Sequence, residues 1–264
     1  MRLSPCVLLV VALGIAQPAF GAALAHSDNF LVVAPDRQAA EVVLSAAELC
    51  RKELALEWLG EELPPSVGMT VIHVELSDNS DKGLAWPIDS PERSLHKLWL
   101  VGSPEKLVAE TLRHEITHVV LATQFPGKLP AWADEGAASL QDDSQRRAIR
   151  SRLLAWWAQT GNWPRLEVVF AKPIIPPGDQ ASYAVAASVT QYLLDRGGRN
   201  RFLRFAMEGK AAGYAQALMR HYGIADLAAL EAGWQEWVRQ DYAPPATAAS
   251  GVTPRAGAVA PTIR

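Results

Sequence analysis

The chain has 264 residues, 49% of them hydrophobic and 20% charged, the balance of a globular protein rather than a disordered or fibrous one. Its 25 basic and 28 acidic residues leave it mildly acidic, and no basic stripe runs through it, which argues against nucleic acid as a partner.

Residues Met1 to Ala25 have the make-up of a secretory signal: Arg2 at the start, the apolar run Val7 to Ala16, then the small residues of Ala23-Leu24-Ala25. The run is about 10 residues long, half of the roughly 20 that cross a bilayer, so a permanent membrane anchor is the weaker reading. Cleavage is expected after Ala25, with Gly21 as the rival position, and the mature protein is expected to be secreted or periplasmic. Ser4 and Pro5 precede Cys6 where a lipid-anchoring motif would have small residues. Cleavage leaves Cys50 as the one cysteine, so packing and not a disulfide must hold the fold. Cys50 falls in an apolar-periodic stretch and reads as a buried, inert thiol.

Next in order, Phe30 to Val33 reads as a strand and Arg37 to Leu59 as a helix stopped by Gly60. Met69 to Leu76 and Lys97 to Val101 read as two more strands. Ser103 and Pro104 then offer a cap and a first-turn proline, opening a helix from about 104 to Gln124, which Pro126-Gly127 ends. Further helices are expected over Ala131 to Leu140, Ser144 to Thr160, Ser182 to Arg196, Asn200 to Glu208, Tyr214 to Tyr222 and Asp226 to Asp241. The three prolines of Glu167 to Gln180 predict an irregular surface loop. From Ala243 the Ala, Pro, Thr and Gly composition predicts a disordered tail. A few strands followed by many helices imply an α+β domain over residues 26–242: a small N-terminal mixed sheet, then a mainly helical half.

The 104–124 helix contains His114-Glu115-Ile116-Thr117-His118. Residues four apart share a helix face, so the two imidazoles can converge on one ion, with Glu115 beside them. A catalytic zinc takes a third protein ligand and leaves its fourth position to water. A short turn makes the next helix an antiparallel neighbour, which can bring Glu135 to that face; Asp134 and Asp142 are the alternatives. Such a site gives Glu115 the work of a general base.

HEITH followed by Pro130-Ala131-Trp132-Ala133-Asp134-Glu135-Gly136 resembles the gluzincin zinc metallopeptidases, and most of all their peptidase MA-like group. The resemblance implies one zinc held by His114, His118 and Glu135, Glu115 as general base, and hydrolysis of a peptide or protein substrate. It also implies an edge strand near the zinc-binding helix that takes an extended peptide, here Lys97 to Val101, and a Tyr or His from the helical half as oxyanion donor. Tyr183 is the first candidate, with His221 and Tyr222 as rivals. Two features depart from the family. The G-x-M-E-N segment of its aminopeptidases is missing, and Ser139 stands where the thermolysin-like branch has an aspartate. The alternative function is a zinc-stabilised, non-catalytic binding protein, against which Glu115 counts. Trp132 reads as packing beneath the site, His73 and His96 as structural, and the tryptophans at 156, 157, 163, 234 and 237 as core.

Overall fold

The computed structural model describes residues 22–64, 68–79, 82–88 and 94–242. The expected tail and residues 1–21 of the expected signal lie outside the described residues. Five strands, β1 (Ala23–His26), β2 (Phe30–Ala34), β3 (Gly68–Leu76), β4 (Lys82–Ile88) and β5 (Ser94–Gly102), form one sheet in the order β1-β2-β3-β5-β4. The inner three run parallel, and β1 and β4 flank them antiparallel. A parallel step from β2 to β3 requires a crossover, which α1 (Arg37–Leu59) supplies. Asp36 caps α1 by accepting from the Ala39 amide, and Gly60 ends it at φ 83°.

Alternation along the strands decides which face is buried. Val32, Ile72 and Leu98 lie side by side in register and are fully buried, and α1 and α3 (Leu112–Gln124) pack against the sheet. On the opposite face Trp99 is 41% exposed and stacks on His73. The strand Lys97 to Val101 was expected at the edge. It lies within β5, one place inside, because β4 pairs along it from Lys82–Val101 to Ile88–Leu95. β4 itself is not apparent in the sequence because its pattern is inverted: Leu84 and Trp86 face solvent, while Gly83 and Ala85 take the half-buried positions. β1 is also new. Cleavage after Ala25 would remove three of its four residues, whereas cleavage after Gly21 leaves it whole.

The second half is helical, as expected. α2 (Pro104–Lys106) passes through a π-helical turn, Leu107–Thr111, into α3. α4 (Ala131–Ser139), α5 (Ser144–Thr160), α6 (Leu166–Phe170), α7 (Gln180–Ala212), α8 (Tyr214–Tyr222) and α9 (Leu227–Tyr242) follow. α6 begins just before the expected loop and occupies its start, because Leu166, Val169 and Phe170 fall at helical spacing and all three are buried. α7 spans two expected helices but breaks between them, at Gly198 (φ 69°, ψ 174°). Trp132 is fully buried and stacks on Phe170 with ring centroids 3.9 Å apart. Trp157 and Trp234 are core, but Trp156 is 50% exposed because it falls on the solvent face of α5. Cys50 is buried, and that burial pushes its thiol up, away from the reactive thiolate.

α4 and α7 pack closely where α4 has no side chain. A Cβ at Gly136 would lie 2.2 Å from Thr190 Oγ1 and 2.7 Å from the Ala186 carbonyl oxygen. Gly136→Ala is therefore expected to destabilise the protein by about 1–3 kcal/mol, the usual cost of overpacking. Urea unfolding checks this, and an unchanged midpoint would rule out the contact.

Candidate metal centre

His114 and His118 stand one turn apart on α3, and Glu135 on α4 faces them. The two Nε2 atoms are 3.3 Å apart, and Glu135 Oε2 lies 3.8 Å from the first and 3.7 Å from the second. Donors about 2.0–2.2 Å from a tetrahedral ion stand about 3.3–3.6 Å from one another, so the two imidazoles are at ligand spacing and the carboxylate oxygen needs to move in by only a few tenths of an ångström to share one ion. Glu135 Oε2 is also a buried acceptor without a hydrogen-bond partner, which a native fold ordinarily avoids. Together these three residues can hold a metal ion.

Each imidazole is aimed by a carboxylate on its far nitrogen. His114 Nδ1 is 2.9 Å from Asp142 Oδ1, and His118 Nδ1 is 2.9 Å from Asp134 Oδ2. With Nδ1 occupied, Nε2 is left to point into the cluster. The expected alternatives to Glu135 as third ligand thus turn out to be the groups that orient the histidines. Asp142, in the turn after α4, supplies what Ser139 cannot, and it is held in turn by Arg150 Nη1 at 2.7 Å. Arg150 also donates to the Ser139 carbonyl.

Glu115, also on α3, is 5% exposed. Its burial raises its carboxyl above the usual range, against the lowering effect of the two histidines. Tyr183, at the start of α7, is brought to the site. Burial first, then the charge and hydrogen bonding of Glu135 beside it, push its phenol up, so it stays protonated at neutral pH. The rivals are placed elsewhere: His221 is bound to Glu208 at 2.9 Å, and Tyr222 packs edge-on against Phe205. His96 had no expected role. It is buried on β5, and burial first, then the charge of the nearby His118, lower its proton affinity, while Asp134 acts in the opposite direction. Only the register of β5 reveals this placement, since nothing in the local sequence signals it.

No family model and no curated protein matches this chain, so the functional reading rests on the geometry above and on the residues of the two motifs.

Two predictions follow from the carboxylates and the charges they stabilise. Asp134→Asn should weaken metal affinity by about 10–100-fold with the fold intact, as loss of such a partner usually does. Asp142→Asn should do the same and also lower the melting temperature, because Arg150 is left buried without its charge partner. Chelator competition beside calorimetry separates the two, and equal melting temperatures would refute the difference.

Without metal, burial opposes charge on both imidazoles, yet the hydrogen bond that His114 donates to Asp142 and the charge of Asp134 beside His118 prevail, raising His114 to about 10 and His118 to about 9. A proton bound more tightly in the folded than the unfolded chain stabilises the fold fully below about 6.5, and this is lost as the pH climbs through those values. The metal-free melting temperature should therefore fall across that alkaline window. Metal-loaded protein should fall far less, because the ion replaces the protons. Identical slopes with and without metal would contradict the assignment.

Proposed function

We propose that the protein is a zinc-dependent hydrolase of peptide bonds. The observation that carries this reading is the convergence of His114 Nε2, His118 Nε2 and the unpartnered Glu135 Oε2, with the buried carboxylate of Glu115 beside them. Zinc suits two imidazoles and a carboxylate, and three protein ligands are the catalytic rather than the structural number. Resemblance of HEITH and the W-x-x-E-G segment to gluzincins supports the same assignment.

When bound, zinc supplies a Lewis acid and lowers the pKa of water towards about 7. Glu115 then takes a proton from the attacking water and passes it to the leaving amine. Its burial raises its proton affinity towards the working pH, which suits both steps. Tyr183, kept protonated, donates a hydrogen bond to the carbonyl oxygen as charge builds there. Asp134 and Asp142 hold the imidazoles in one orientation throughout. The substrate is an extended peptide added along β4, whose outer edge has no strand partner among the described residues.

Export is part of the proposal, supported by the composition of the first 25 residues. No helix among the described residues is long and apolar enough to cross a membrane.

Glu115→Gln keeps the size of the side chain and all three ligands. Zinc content and melting temperature should stay near those of the unmutated protein while peptide hydrolysis falls by at least about 100-fold. A non-catalytic zinc-binding protein predicts no hydrolysis in either form. Equal hydrolysis by the two forms would exclude Glu115 as the base.

A further inference from the structure

The inward positions of β4 are a glycine, Gly83, and an alanine, Ala85, and this lets the strand lie close over α3. A Cβ at Gly83 would meet Glu115 Oε1 at 2.3 Å and its Cδ and Cγ at 2.7 Å. Unbonded carbon atoms settle about 3.5–4.0 Å apart, so even one methyl group does not fit while Glu115 stays where it is. Conformation does not explain the glycine, since Gly83 is not among the residues with positive φ. Glycine within a strand ordinarily weakens it. What the position requires is space, and Glu115 fills that space.

Gly83 faces Glu115 because of register. It pairs with Leu100, which pairs with Val74, so it ends a row of inward positions on the helix-covered face. The row closes over α3 at the carboxylate beside the two histidines.

We propose that Gly83 is a positioning residue: the backbone of β4 there is the wall that holds the Glu115 carboxylate in place, and a side chain at 83 drives the carboxylate aside. The three atoms nearest to that added carbon all belong to Glu115, so the substitution is aimed at the carboxylate and not at the residues that could hold the metal. The consequence for catalysis rests on the hydrolase reading, whereas the contact itself does not.

The test uses the full chain loaded with zinc. Gly83→Ala should keep its zinc content and lose at least about tenfold in kcat with KM little changed, in keeping with the cost of misplacing a reacting group. In a Glu115→Asp background, whose carboxylate is drawn back by one methylene, the same change should cost less than about twofold. Melting gives a second reading that needs no activity. Gly83→Ala should lower the melting temperature of the natural chain by about 2–8 °C and should not lower it in Glu115→Ala, where the obstacle is gone. An equal fall in both backgrounds, or undiminished hydrolysis by Gly83→Ala, overturns the proposal. If the natural chain cleaves no peptide, the hydrolase reading fails while the melting comparison still decides the contact.

Discussion

Two imidazoles with Nε2 atoms 3.3 Å apart have no reason to stay together unless something fixes them from behind. Asp134 does so from α4 and Asp142 from the turn after it, and the rest of the site depends on that grip. Asp142 is held in turn by Arg150 of α5, so the orientation of His114 is set by a chain of three residues across two helices and a turn. Burying this chain is costly unless every member is paired. The arrangement therefore favours a single rotamer for each histidine. α4 meets the same demand from the other side: Gly136 lets it press against α7, and Glu135, the preceding residue, reaches the histidine face.

Much of this was legible in sequence because it is periodic. Helical spacing placed His114 and His118 on one face, and a short turn after Gln124 brought α4 back against α3. The break at Gly197-Gly198 was legible because glycine is the residue that adopts φ 69° without strain. Other features left no local mark. β4 was missed because alternation identifies a strand only when its apolar residues face the core, and here Leu84 and Trp86 face water. That omission in turn made β5 look like an edge. Asp142 lies 28 residues from its histidine and is joined to it only through tertiary packing. Trp156 reads as core from its spacing, and only the placement of α5 turns it to solvent.

The burial of Glu115 bears on what kind of metal site these residues could form. An acid that serves only as a helix surface charge costs least where water reaches it, yet Glu115 is among the most buried charged residues described. Desolvation raises its proton affinity, and opposing charge from the two histidines offsets only part of this. A site whose sole purpose was stability would gain nothing from that expense, since an apolar residue there would pack without it. A general base does gain from it, because its proton affinity must approach the working pH for both halves of a proton transfer to proceed. Backbone, rather than another side chain, closes the space over the carboxylate at Gly83. Among the described residues the outer edge of β4 has no strand partner, so under the proposed function an extended peptide could pair there beside Glu115.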